Sequence, residues 1–568
     1  MDSTGRAGIS IAATPLPQFA TARIARTSNK TGKLDSPRTT VRASRIDKYQ
    51  PIFLLLALLL LWAAVVGAAE PTAASEQSSA AWRAAVESIS AKQLARHVER
   101  LADERLEGRA AGTRGAKAAA DYLAAQFAQL KLRPAGADGG YLHPFPPNFR
   151  NVVAAVDGSD PQLKAQCIVL GAHYDHIGYG DRRSSRGPIG FVHPGADDNA
   201  SGVAALLELA EAWQLLGHPA RRTVLFVAFD AEEIGLLGAK QLVAHPPDGC
   251  QQPAAMINLD MVGRLRQDRL TVYGTRTAYG WRRLVAERNT DANLKIDFSW
   301  SLTEDADHYP FFARGVPVLM FHTGMHDEYH TPSDRPEKLN YEGLERIARL
   351  VFAIAYDLAQ TDQPPKFRPA AAHENEQTRR QLEQPPSAPR RRLGVHWHEV
   401  ASGPVGVVLK QVIAGSAAER AGLRPGDQII SFAGREITSS DDLIGAVQTA
   451  PNRTTAIVLR AGQDQPLAVN LELEGQPLRL GITWRTDEAE PASVVLVDVT
   501  PGTPAAAAGL KPADRIYAVN HQKFAGDEQF SQLLGRWPEP LQLTIERDGR
   551  LSTIVLSPTA AAGKQLDQ

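Results

Sequence analysis

Apolar positions recur along this chain with two different periods. Between residues 88 and 132 the spacing is helical: Leu94, Val98 and Leu101 share one face, and Ala119, Tyr122, Leu123 and Phe127 share the face of a second helix. Short β-rich apolar runs follow at 151–156, 167–170, 223–229, 255–259, 270–273 and 316–321. Helical stretches such as 202–216 and 341–358 separate several of them. This alternation predicts an α/β domain over residues 81–361, with a mainly parallel sheet between helices.

The pattern changes after residue 361. Residues 362–392 are rich in proline, glutamine and charge, carry no apolar period, and read as a flexible linker. Beyond them the chain repeats itself at an offset of 87 residues. Leu393, Gly394 and Val395 recur as Leu480, Gly481 and Ile482, and Ala421, Gly422 and Leu423 recur as Ala508, Gly509 and Leu510. Pro425, Asp427 and Ile429 match Pro512, Asp514 and Ile516. Two copies of one small β-rich domain are therefore expected, at 393–475 and 478–560.

Composition narrows the function. The 568 residues need several cores, and 62 basic against 63 acidic side chains leave no global field for nucleic acid. The two cysteines, Cys167 and Cys250, exclude a disulfide-rich scaffold and a thiolate zinc site; they read as plain buried residues, with at most one bridge between them. Residues 1–51 read as a basic arm expected to lack order, and 52–69 are an uncharged apolar run ending in Val66, Gly67, Ala68 and Ala69. That segment is either a cleaved export signal or a membrane anchor, since 18 residues at about 1.5 Å each just span a ~30 Å hydrocarbon layer. Either way, the chain beyond Glu70 is expected outside the cytoplasm.

In an open α/β sheet, ligands gather beyond the carboxyl ends of the strands. The residues there are metal-ligand types: His173 and Asp175 after 167–170, Glu232 and Glu233 after 223–229, and Asp260 after 255–259. Asp197 and Asp198 open the helix at 202, and Tyr329 and His330 come after the last apolar run. Imidazole and carboxylate without thiolate suit zinc, with cobalt or manganese as alternatives, and an acid-rich set can hold two cations.

The ordered segments HxD, GADDNASG, AEE, NLDM and YHTP resemble the bacterial leucyl aminopeptidase and aminopeptidase Y family of di-zinc exopeptidases. The resemblance implies two Zn2+ per chain: Asp197 bridging, His173 and Asp260 completing one site, Glu233 and His330 the other. It further implies Glu232 as general base, Asp175 orienting His173, and Tyr329 steadying an oxyanion. His176, His193, His308, His322 and His326 are assigned packing or supporting roles, and Asp307 with His308 resembles another recurrent family segment. The glycine- and arginine-rich loop 177–194 is expected to shape or cover the pocket.

The repeats resemble PDZ domains of bacterial periplasmic proteases, which implies that the turns Leu393, Gly394, Val395 and Leu480, Gly481, Ile482 receive peptide or protein carboxyl termini. The expected function is an exported aminopeptidase acting on peptide substrates. A carboxypeptidase or glutaminyl-peptide cyclase on the same scaffold, or a catalytically idle PDZ adaptor, are the alternatives.

Overall fold

The computed structural model describes residues 73–385, 392–398, 406–478 and 480–557, so the basic arm and the apolar segment 52–69 lie outside the described residues. Among the described residues no helix is long and apolar enough to cross a membrane.

Nine strands form the first sheet: β1 (Arg133–Pro134), β2 (Leu142–Phe145), β3 (Phe149–Val156), β4 (Gln166–His173), β5 (Val224–Phe229), β6 (Gln252–Leu259), β7 (Arg269–Tyr273), β8 (Lys295–Phe298) and β9 (Val318–His322). Their order is β1-β3-β5-β4-β6-β9-β7-β8, with β2 on β3. At the centre β4 runs parallel to β5 and β6, and β6 to β9, as the alternation with helices predicts. Antiparallel pairings flank this centre, β3 with β5 and β7 with β9. β2 and β3 are separated by only 146–148, a connection too short for anything but an antiparallel hairpin.

Successive residues of a strand face opposite sides, and here both sides are covered. Ile168, Leu170, Phe226, Ile257 and Leu259 face helices Ala91–Leu101, Arg114–Gln129, Gly202–Leu215 and Tyr341–Gln360. Val169, Leu225, Val227 and Met256 face Leu242, Phe311 and Ala371 on the other side. Each fully buried Leu, Ile or Phe contributes roughly 1.5–3 kcal/mol, so the two-sided core fixes the strand register on which the site depends. Side-chain caps set the helix starts: Ser90 accepts from Gln93 N, Thr113 from Ala116 N and Asn340 from Gly343 N.

Two expectations are corrected. Cys167 and Cys250 are not plain buried residues: they form a disulfide that ties β4 to the start of β6. Nor do residues 362–385 behave as a flexible linker. Phe367 packs on Phe312, Arg368 pairs with Glu374 at 2.6 Å, and Asn375 caps helix Glu376–Glu383. Proline, glutamine and charge hid this segment because its order comes from ion pairs, which leave no apolar period.

The two repeats have the same topology, five strands on the main path and a short sixth at the side. Gly394 and Gly481 both have φ above +80°, and a Cβ on either would strike Ser416 or Thr503 respectively, so only glycine suits these turns.

Candidate metal centre and peptide groove

Two turns at the carboxyl ends of the central strands must meet for the site to form, and Arg109 joins them. Its buried guanidinium donates to the carbonyls of Tyr174 (2.8 Å), Leu101 (2.5 Å), Pro194 (2.7 Å) and Gly195 (3.0 Å). Burial lowers its pKa to about 10, which leaves it charged at neutral pH. Asp334, also fully buried, accepts the amides of Asp197 (2.9 Å) and Asp198 (3.1 Å). Asn199 bridges the same turn to β6, donating to Leu259 O and accepting from Gly202 N and Met261 N. Arg109 and Asp334 carry no periodic or motif signal in sequence, and Asn199, although inside GADDNASG, is given no role there.

The turn so held presents Asp198, not Asp197, to the histidines. Asp198 Oδ1 lies 3.4 Å from His173 Nε2, which is itself 3.5 Å from Asp260 Oδ1. Asp198 Oδ2 lies 3.0 Å from His330 Nε2, which is 3.2 Å from Glu233 Oε2. Two groups of converging donors result: His173, Asp198 and Asp260, and His176, Asp198, Glu233 and His330. Asp197 points elsewhere: its Oδ1 accepts Ser201 Oγ at 3.0 Å and Gly263 N at 2.6 Å. The expected bridging role of Asp197 is thereby corrected, because adjacent residues of this turn send their side chains in different directions.

His176 is the other departure. Its Nδ1 bonds Glu233 Oε1 at 2.8 Å, so it stands inside the second group instead of packing away from it. Of the remaining histidines, His326 Nε2 lies 3.2 Å from Asp197 Oδ2, and His322 lines the pocket. His193 Nε2 bonds Ser185 Oγ at 2.8 Å, fastening loop 177–194. That loop serves the site directly, since Ser184 O accepts His330 Nδ1 at 2.7 Å and Arg186 lies 4.6 Å over the Tyr329 ring.

The donor set fits divalent cations. Burial alone depresses His173, but Glu232, Asp260 and Asp198 outweigh it and hold the imidazole well above its ordinary pKa. His330 rises to about 10, burial being outweighed by Asp198 and Glu233. So strong a preference for positive charge, in a set with imidazole and carboxylate donors and no thiolate, suits zinc. His330 Nε2 faces two carboxylates at once, Asp198 at 3.0 Å and Glu233 at 3.2 Å, the arrangement of ligands around a shared ion.

Beside these groups lies a cavity of about 350 Å3 lined by His173, Asp198, Glu232, Glu233, Asp260 and Tyr329, with Met261, Met320, Met325 and Tyr273 as its apolar wall. Asp175 is fully buried; its Oδ1 accepts Glu232 N at 3.0 Å and its Oδ2 accepts Glu233 N at 3.4 Å. Asp175 O also lies 3.2 Å from His173 Nδ1. Burial, with Asp307 and Glu233 nearby, raises the Glu232 carboxyl well above its ordinary pKa against the pull of His173.

In the second repeat Leu480, Ile482, Trp484, Asp527 and Leu534 line a cavity of about 470 Å3 between strand Ile482–Thr486 and helix Gly526–Leu534. Trp484 Nε1 donates to Asp527 Oδ1 at 2.6 Å, and Thr500 N donates to Gly481 O. In the first repeat Trp397 Nε1 donates to Ser440 Oγ at 2.9 Å, Leu393 is buried, and Val395 pairs with Val412. Ile413 N donates to Gly394 O.

Comparison with known proteins agrees with this geometry. Residues 151–355 match peptidase family M28, and residues 408–460 and 479–557 each match a PDZ domain. Aminopeptidase YwaD of Bacillus subtilis (strain 168) is 32% identical over 209 residues, 35% of this chain and 42% of that protein. Leucine aminopeptidase 1 of Trichophyton rubrum is 26% identical over 270 residues, 43% of this chain and 68% of that one. The chain thus spans less than half of the first relative's length and about two thirds of the second's. The Legionella pneumophila LapA aminopeptidase overlays with a TM-score of 0.42 at 20% identity, covering 49% of this chain and 74% of that one. The chain therefore carries a peptidase family M28 domain followed by two PDZ domains.

Proposed function

We propose that this protein is an exported zinc aminopeptidase that removes amino-terminal residues from peptides, and that its PDZ domains hold peptide or protein carboxyl termini. The observation that carries the reading is the pair of donor groups sharing Asp198, with Glu232 in the same cavity. Two Zn2+ would be held by His173, Asp198 and Asp260, and by Asp198, Glu233 and His330 with His176 beside them. Bound there, zinc supplies a Lewis acid for the scissile carbonyl and acidifies water.

The remaining work falls to side chains. Glu232, raised by burial, accepts a proton from the attacking water and passes it to the departing amine. Asp175 fixes the backbone from which Glu232 projects. The Tyr329 phenol, kept protonated by burial, donates to the developing oxyanion. The wall of Met261, Met320, Met325 and Tyr273 suits an apolar amino-terminal side chain, since methionine adapts to irregular shapes.

Export is supported by the apolar run 52–69 and by the Cys167–Cys250 disulfide, a bond that persists in oxidising compartments. The test is a peptide series differing only at the ends. Cleavage of free but not acetylated amino termini supports the reading. Release of carboxyl-terminal residues, or cyclisation of amino-terminal glutamine, would replace it with one of the alternatives.

A further inference from the structure

Arg276 lies three residues beyond the end of β7, whose last residue Tyr273 lines the catalytic cavity. Its Nη1 donates to both carboxylate oxygens of Asp487, in the second PDZ domain, at 2.9 Å. Its Nε and Nη2 donate to Glu374 at 2.6 and 2.8 Å. The guanidinium so held lies 3.5 Å from the centroid of the Trp300 ring. Trp300 begins the segment whose Asp305 and Ala306 line the cavity beside Glu232. Trp300 N also donates to Glu376 Oε1 at 3.1 Å, and Leu302 packs against the core that includes Phe311. The segment's remaining polar ties are local or exposed: Ser301 N to Ser299 Oγ, Thr303 Oγ1 to Asp305 Oδ2, and Lys240 to Glu304.

The contact continues along one face of the second PDZ domain. Arg282 donates from its side chain to Glu546 at 2.7 and 3.2 Å and from its backbone to Glu490 at 2.8 Å. Gly280 N donates to Ala489 O, and Ile296 N to Asp548 O, both at 2.8 Å. Arg515 adds a second cation 2.8 Å from Asp487, and Asp487, Glu490, Arg515 and Glu546 are all buried.

The repeat supplies an internal control. At the 87-residue offset Asp487, Glu490, Arg515 and Glu546 correspond to Val400, Gly403, Gln428 and Leu459. The pair each domain needs for its own fold is common to both: Arg547 with Asp514, and Arg460 with Asp427. The buried ionisable residues facing the peptidase are thus extra to the PDZ fold and belong to the second copy. A charge buried without a partner is costly, so such residues are retained where a partner is always present.

We propose that the second PDZ domain is a fixed part of the catalytic unit, and that Asp487 and Arg276 are positioning residues for the substrate cavity, acting through Trp300 on residues 301–307. The activity readout of this proposal rests on the aminopeptidase reading; its structural readout does not. Asp487→Asn removes the charge that holds Arg276 and Arg515 together while keeping the side-chain shape.

The test compares full-length wild type, Asp487→Asn, Asp487→Glu, Trp300→Leu and the exposed control Glu472→Gln. Hydrogen exchange of amides 300–307 is measured with KM, kcat and zinc content on a dipeptide. Asp487→Asn should speed that exchange at least tenfold and raise KM several-fold with kcat and zinc content unchanged. Asp487→Glu should restore part of both, Trp300→Leu should reproduce the KM change, and Glu472→Gln should match wild type. Exchange and KM within twofold of wild type in Asp487→Asn overturn the proposal. If that variant fails to fold, unchanged exchange and KM in a folded Trp300→Leu overturn it equally. If wild type cleaves no peptide, the aminopeptidase reading fails and exchange alone decides this one.

Discussion

Asp175 accepts the backbone amide of Glu232 at 3.0 Å, so the residue two positions after His173 also aims the proposed proton acceptor. Because Asp175 is fully buried and its second oxygen accepts Glu233 N, one carboxylate sets both glutamates against the histidines. Asp175→Asn places an amide donor against one of these N–H groups. Loss of such supporting contacts lowers metal affinity or activity by roughly 10–100-fold. Zinc titration and kcat of the variant check this, and wild-type values for both contradict it.

Glu232→Gln should reduce kcat by about 10²–10⁴, the range of general acid-base assistance, with two zinc ions still bound. The amide keeps the shape and cannot accept the proton. Turnover near wild type would remove Glu232 from that role.

Glu490 gives a pH prediction. Burial raises its carboxyl to about 7, against the pull of Arg515. Its folded pKa thus exceeds the unfolded value, so the folded state holds a proton the unfolded state has released. The contribution is fully present below about pH 4 and lost as pH rises through about 7. The thermal transition of wild type should therefore fall by a few degrees from pH 5 to 8, and Glu490→Gln should flatten that part of the dependence. An unaltered slope in the variant contradicts the assignment.

The disulfide makes a chemical prediction. Native protein should show no reactive thiol, and denatured, reduced protein should show two, one each from Cys167 and Cys250. Cys250→Ser should cost about 2–5 kcal/mol of stability, typical for loss of a native bridge. Two thiols in unreduced, denatured protein would argue against the bond.

The parallel centre of the sheet was legible because short apolar runs alternate with helices, and the convergence of His173, Glu233 and Asp260 because they end or closely follow those runs, while His330 lies on the loop eight residues past the last strand. The choice between Asp197 and Asp198 was not. Both sit in one turn, and which side chain meets His173 and His330 depends on backbone directions fixed by Asp334 and Arg109 from distant parts of the chain and by the bond of Asn199 to β6. Docking of the second PDZ domain was hidden differently. Asp487, just past strand Ile482–Thr486, and Glu546, inside strand Leu541–Arg547, belong to no motif, and only the uncharged Val400 and Leu459 at the matching positions mark them as unusual. Arg368 and Glu374 lay in a stretch whose composition resembles a linker, although, besides pairing with each other, both bond Arg276 in the folded body.

Asp198 is the one carboxylate common to both proposed metal sites, and zinc titration of chelator-stripped protein tests that role most directly. Wild type should bind two equivalents, with activity rising as they bind. Asp198→Ala should lose high-affinity binding at both sites, whereas Asp197→Ala should still bind two equivalents more weakly, because that carboxylate braces Ser201 and Gly263 and faces His326, outside both donor groups. Two tight equivalents in Asp198→Ala, or complete loss in Asp197→Ala alone, would contradict the shared-carboxylate site.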